Sequence, residues 1–494
     1  MILLAALLIY EVWGKADVIE QQAVLVDIGS TYTKVTIVDL RRADIVAQGK
    51  SVTTVKEDVT LGLEQALRAA GVQLESLARF RLRLACSSAA GGLSLVAIGL
   101  VPELTAEAAR RAALGAGAVV RRVYSYQLTP QEMAEMEALS PDIILLAGGT
   151  DGGEAKTIVH NAKMLANSAL RVPVVVAGNK IVAEQVMEIL CQQGVDARLT
   201  ENVMPRLNVL NVEPAQQVIR QVFLEHIVKA KGLDRAEALL DAVAMPTPSA
   251  VLAGARLLAD GLNDDEEPGW GELMVVDVGG ATTDVHSVAE GGPTRANVVY
   301  RGLPEPRVKR TVEGDLGLRV SAPSLLAALG EARMRRAMGD KAPQNLSALI
   351  EQWSREVGHL PQTEEEWALE VALGRGAVEL AVTRHVGRLE ELPTPRGLMF
   401  VQRGKDLSEV GIVVGTGGIF AHHPLAAIVL QGAVANERDP FLLAPRQPRL
   451  YLDRRYILWA AGLLANYEPR VALRLMKRYL IAVETTPPPT RPSG

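Results

Sequence analysis

Two stretches of this chain end an apolar run in a carboxylate and follow it with glycine and hydroxyl residues. The first is Val26-Asp27-Ile28-Gly29-Ser30-Thr31-Tyr32-Thr33-Lys34, the second Val276-Asp277-Val278-Gly279-Gly280-Ala281-Thr282-Thr283-Asp284. They lie 250 residues apart, about half the chain. Tight turns rich in backbone N–H groups cradle phosphate oxygens, and glycine permits close approach. Mg²⁺ keeps several waters and needs only one or two carboxylates. Asp27 and Asp277 are therefore the candidate catalytic residues and the candidate metal ligands, directly or through water. Gly29, Ser30, Thr31, Thr33 and Lys34 are candidate phosphate contacts in the first turn, with Lys34 acting as a point charge. In the second turn they are Gly279, Gly280, Thr282 and Thr283. A third loop, Gly415-Thr416-Gly417-Gly418, suits close packing against a flat adenine or ribose. Two such turns closing on one polyphosphate and its metal point to Mg-ATP.

Elements must position these loops. Residues 23–27 read as a buried strand, with 34–40 as its hairpin partner and 45–52 as a third strand. A helix over 61–70 ends at Gly71, and 80–85 is a further strand. From about 116 to 212 the pattern alternates, and 142–147, a glycine loop, a helix to about 169 and 172–177 make a βαβ unit with a parallel pair. Residues 212–258 read as mostly helical, and 263–269 as an acidic linker. The pattern then restarts, with 284–289 and 297–301 as second and third strands after the second Asp-x-Gly. Residues 322–390 are helical by spacing, 410–414 are a last buried strand, and helices close the chain. The expected domains are an N-terminal extension (1–20), a first lobe with an α/β insertion (21–262), a second lobe (270–450), C-terminal helices (451–482) and a disordered tail (483–494).

The bulk properties set limits. A chain of 494 residues exceeds what one core supports. A net charge of −5 lacks the basic excess of a nucleic-acid binder. Two cysteines, Cys86 and Cys191, make no disulfide framework and no zinc set, which fits a reducing cytoplasm. The apolar stretch 1–9 is shorter than the roughly 20 residues a membrane span requires.

The order of the three loops resembles the superfamily of actin, the heat-shock chaperone ATPases and the sugar kinases. Within it the chain most resembles the MutL/GlmL family of accessory proteins associated with glutamate mutase, over about 24–480. The resemblance rests on Asp27 to Lys34, Cys86-Ser87-Ser88-Ala89-Ala90-Gly91-Gly92, Leu146-Ala147-Gly148-Gly149-Thr150-Asp151-Gly152-Gly153 and Thr311-Val312-Glu313-Gly314-Asp315-Leu316-Gly317. A DNA mismatch-repair protein shares the family's name but has an unrelated ATPase fold, and no residue here supports that role. The resemblance implies an α/β fold of two ribonuclease-H-like lobes, the actin-like ATPase fold, with an additional α/β segment in the first half. It also implies ATP and Mg²⁺ as cofactors and an adenosylcobalamin-dependent mutase as partner. The implied role is a reactivase or chaperone coupling slow hydrolysis to lobe closure. A small-molecule kinase, an ATP-dependent amide hydrolase and a nucleotide-dependent scaffold are the alternatives.

Other residues have plainer readings. Residues 148–153 are expected to form a tight βα turn capped by Asp151. Glu313 and Asp315 suit either a partner or catalytic contact or a surface turn with ion pairs. Of His422 and His423, one is expected to start a helix and the other to pack, and Cys86 to be a small buried residue.

Overall fold

The computed structural model describes residues 19–29, 31–54, 59–88, 93–227, 239–262, 267–395 and 397–483. The expectations for Ser30, for 89–92, for 263–266 and for both chain ends (1–18 and 484–494) lie outside the described residues. The chain forms two compact units: one holds described residues up to Gly254 with Trp459–Leu475, the other Ala255–Leu458 and the described residues from Met476 on. Among the described residues no helix is long and apolar enough to cross a membrane.

The first unit opens with β1 (Gln22–Ile28), β2 (Tyr32–Asp39) and β3 (Asp44–Val52), joined as an antiparallel meander. Every residue of β1 is buried, as a central strand covered on both faces requires. In β3 exposed residues alternate with half-buried ones, the pattern of an edge. The helix Val59–Ala69 lays Val59, Leu63, Ala66 and Leu67 against this sheet. Gly49 on β3 permits the approach: a Cβ there would lie 2.0 Å from the Ala66 carbonyl oxygen, so Gly49→Val would force helix and strand apart. Burying each of these leucines stabilises the contact by about 1.5–3 kcal/mol.

β4 (Leu82–Ser87) runs parallel to β1, and a segment inserted after it forms its own five-stranded sheet. Its strands are β5 (Ser94–Gly99), β6 (Val119–Ser125), β7 (Ile143–Leu146), β8 (Val174–Val176) and β9 (Ala197–Leu199), ordered β6-β5-β7-β8-β9 and all parallel. The expected βαβ unit is present as β7, the helix Lys156–Ala166 and β8. The described part of 212–258 is mostly helical, as expected, through the helix Glu213–Val222, the π-helical turn Phe223–Ile227 and the helix Thr247–Asp260. It also contributes an unexpected strand, β10 (Ala242–Pro246), parallel to β4. The first sheet is thus β10-β4-β1-β2-β3.

The second unit contains β11 (Leu273–Val278), β12 (Thr283–Val288), β13 (Val298–Tyr300), β14 (Val308–Glu313), β15 (Arg388–Thr394), β16 (Gly397–Arg403), β17 (Ile412–Thr416), β18 (Arg449–Asp453) and β19 (Leu480–Val483). Its main sheet is β14-β12-β11-β17-β18-β19. Without β19, strand order and directions repeat the first sheet: a three-stranded antiparallel meander, then two parallel strands. These are the two ribonuclease-H-like sheets of an actin-like α/β fold.

Three expectations need correction here. The third strand is β14, not 297–301, because β13 joins a separate sheet with the hairpin β15–β16. Residues 388–403 of that hairpin lie partly in the stretch expected to be helical. β17 is not the last strand, since β18 and β19 extend the sheet beyond it. The helix Glu364–His385, started by a reciprocal Thr363–Glu366 capping box, packs Leu373, Ala377 and Ala381 into one core with Met274, Val276 and Val285 of the sheet.

Candidate nucleotide site

Each Asp-x-Gly turn closes in the same way. Gly29 N–H donates to the Tyr32 carbonyl (3.1 Å) and Gly279 N–H to the Thr282 carbonyl (2.9 Å). Each aspartate is the penultimate residue of the strand at the centre of its meander–parallel junction. The neighbouring parallel strand places Cys86 beside Asp27 and Thr416 beside Asp277.

Around Asp27 every contact is internal. The carboxylate is 1% exposed. Its Oδ2 accepts from Lys34 Nζ at 3.0 Å, and its Oδ1 accepts from Thr247 Oγ1 at 2.7 Å and faces Cys86 Sγ at 3.7 Å. Burial and the adjacent Asp27 charge push the Cys86 thiol well above its ordinary pKa, so it is a small buried residue and not a nucleophile. Lys34, expected at a phosphate, is here the counter-ion of Asp27. Thr33 is buried and its Oγ1 bonds Thr53 Oγ1 at 3.0 Å, fixing the turn to the end of β3. The Thr31 carbonyl holds the same strand end by accepting from Thr53 N–H at 2.9 Å.

Around Asp277 the charge pattern is reversed. The cross-strand neighbour of this half-buried carboxylate is Asp284, where the first turn has Lys34. Arg310 on β14 neutralises Asp284 through Nε (2.8 Å) and Nη2 (2.6 Å), and Thr282 Oγ1 donates to Asp284 at 3.2 Å. Thr283 is buried with its hydroxyl on the Leu316 carbonyl. The third loop arrives from β17. Gly417 has φ 106° and lies so close that a Cβ would sit 2.4 Å from the Val278 carbonyl oxygen and 2.9 Å from Asp277 Oδ1. Only glycine combines that φ with that approach. Thr416 Oγ1 donates to the buried Asp453 (2.9 Å), which also accepts from Ile457 and Leu458 N–H. Gly415 faces the Phe420 ring, and Gly418 starts the short helix Gly418–His422.

The structure thus brings Gly279, Gly280, Thr282 and Thr283 around Asp277, with Gly415, Thr416, Gly417 and Gly418 beside them. Gly29, Thr31, Thr33 and Lys34 surround Asp27. The hard oxygen donors and the cradle at Gly417 fit Mg-ATP at the second turn. Among the described residues no cluster of three or more His, Cys, Asp or Glu could hold a metal alone, so Mg²⁺ would complete its shell with water and phosphate oxygens.

Sequence reasoning missed Asp284, Arg310 and Thr247. The signal for Asp284 was available: it follows Asp277 by the same seven residues that separate Asp27 from Lys34. Thr247 was hidden because β10 reads as helix. Elsewhere, Asp151 does not cap the helix after the Gly148–Gly153 turn. Glu154 accepts from Thr157 N–H (3.0 Å), while Asp151 accepts from Lys180 N–H and Asn202 Nδ2. His422 ends a helix instead of starting one, and His423 packs edge-on against Trp367. Glu313 and Asp315 form ion pairs with Arg384.

A relative described as protein MutL, from Clostridium tetanomorphum, is 49% identical over 460 residues, 93% of this chain and 99% of that protein. Solved structures resemble it more distantly. A nucleotide-free acetone carboxylase has 13% identity and a TM-score of 0.42, with 90% of this chain and 70% of that one covered. A glycerol dehydratase reactivase has 10% identity and a TM-score of 0.30, with 90% and 99% covered. Residues 23–480 match the family model described as MutL protein, and the chain belongs to that family.

Proposed function

We propose that the protein binds Mg-ATP through the turns at Asp27 and Asp277 and hydrolyses it slowly. In this reading it serves as a reactivase or chaperone for an adenosylcobalamin-dependent mutase, such as glutamate mutase, in the cytoplasm. One observation carries the nucleotide part: the two Asp-x-Gly turns end equivalent strands, β1 and β11, of sheets with the same order. Membership of the MutL family, whose accessory role beside glutamate mutase the sequence resemblance implies, supports the partner.

Each group has a task in this reading. Backbone amides of the glycine turns receive phosphate oxygens. Asp277, with Asp284 behind it, would hold Mg²⁺, which would supply positive charge against the transferring phosphoryl group. Asp27 would orient water or Lys34. Gly417 lets the third loop pack against Val278 and Asp277, and Gly418, where a Cβ would have nothing within 4 Å, would leave room for the nucleoside.

The test is phosphate release with Mg²⁺, with and without a cobalamin mutase. Wild type should respond to the mutase, and Asp277→Asn should lose about a hundredfold or more in turnover. ATP consumption that instead follows one metabolite would replace the reactivase with a small-molecule kinase. ATP binding without turnover would leave a scaffold.

A further inference from the structure

The segment following β14 has the sequence of a surface turn, but its backbone grips the second glycine turn. Leu318 N–H donates to the Gly279 carbonyl (3.1 Å) and Arg319 N–H to the Gly280 carbonyl (2.8 Å). Ser321 Oγ donates to the Ala281 carbonyl (2.7 Å) and contacts the Gly314 carbonyl at 2.9 Å. Three consecutive carbonyls of the turn are therefore held on one side. In a trans peptide the C=O and the next N–H point in opposite directions. The N–H groups of Gly280, Ala281 and Thr282 are consequently turned away from this segment, as a set of donors on one face. Gly317 makes the approach possible, since a Cβ there would lie 2.4 Å from the Ala281 carbonyl carbon and 2.5 Å from the Gly280 oxygen.

The segment is itself anchored. Arg319, 11% exposed at its side chain, pairs with Glu370 of the long helix at 2.6 Å. Its guanidinium also donates to the His359 and Leu318 carbonyls and lies 4.7 Å over the Trp353 ring. At the other end Arg384 of the same helix holds Glu313 and Asp315, in an exposed cluster that contributes less.

We infer that residues 313–321 are a positioning brace that aims the amides of the Gly279–Thr282 turn at an anionic polyphosphate, with Arg319, Gly317 and Ser321 as its positioning residues. The inference rests on the nucleotide reading above and assigns these residues no contact with the nucleotide. Were the brace released, the turn could present carbonyls instead of amides, which repels phosphate and leaves nucleoside contacts unchanged.

Calorimetric titration with Mg-ATP and with adenosine separates the two effects. Arg319→Met and Gly317→Ala should each raise the Kd for Mg-ATP about tenfold while the Kd for adenosine stays constant, and Ser321→Ala should raise it about threefold. Arg319→Lys should restore part of the loss. Unchanged ATP affinity, or equal losses for ATP and adenosine, would overturn the brace. Should Arg319→Met and Gly317→Ala fail to fold by circular dichroism, Ser321→Ala decides alone. If wild type binds adenosine and ATP equally, or neither, the nucleotide reading itself is wrong, whatever the variants do.

Discussion

The turns at Asp27 and Asp277 share sheet order, strand position and closing hydrogen bond, yet their electrostatics are opposite. Position seven after the aspartate is Lys34 in one and Asp284 in the other. The first turn is an ion pair with both carboxylate oxygens occupied. In the second, two facing carboxylates are backed by an arginine from a third strand. Repetition of a fold thus preserved the geometry of a strand end and let its charge diverge. The divergence leaves the two strand ends with opposite local charge: a carboxylate neutralised by a lysine in one, and two facing carboxylates backed by an arginine in the other.

The comparison can be broken first at Arg310. Both members of its pair with Asp284 are nearly inaccessible, with side-chain exposures of 1% and 9%. Arg310→Met should destabilise the protein by about 3–5 kcal/mol, because Asp284 would remain buried and uncompensated. Urea denaturation measures this, and a loss below about 1 kcal/mol would mean that the pair is not structural. The corresponding break in the first turn, Lys34→Met, should cost less, about 2 kcal/mol. Lys34 is a quarter exposed and Thr247 still serves Asp27. If Lys34→Met proved the more damaging, the proposed asymmetry would be inverted.

A pH series sharpens the contrast from another side. The second unit buries Lys405 completely, its Nζ donating to the Pro306 and Arg307 carbonyls, with Lys309, Glu305, Glu272 and Glu290 as the charged groups around it. Burial, aided by Lys309, lowers its pKa to about 7 from the ordinary 10.5. Between those values the unfolded chain binds the extra proton. Stability should therefore rise with pH above 7, by up to about 1.4 kcal/mol per pH unit, and fall toward pH 7 from the alkaline side. Lys405→Met should flatten that slope in denaturation curves collected from about pH 7 to 9.

Much of the fold and of the candidate site is legible in the sequence alone. The β1–β2 hairpin and the long helix can be read because apolar residues recur at the spacing each element buries. The glycine loops are legible because few residues other than glycine fit such turns. What escapes has physical reasons. β10, Ala-Val-Ala-Met-Pro, is short and rich in alanine, the best helix former, and only its neighbour β4 makes it a strand. β14 carries Lys309 and Arg310, which look like surface charges until Asp284 supplies a buried partner. The brace is invisible in the sequence because its contacts with the glycine turn are largely backbone, and backbone contacts leave no side-chain signature.

The chain's two thiols differ as sharply as its two turns. Cys191 is exposed on the helix Ala183–Gln192, while Cys86 is sealed against Asp27. A thiol-specific dye should therefore label the native protein once, at Cys191. A second equivalent would enter only when the Asp27 turn parts from β4. The rate of that slower labelling is a built-in clock for how often the first turn opens, readable by mass spectrometry without any engineered probe.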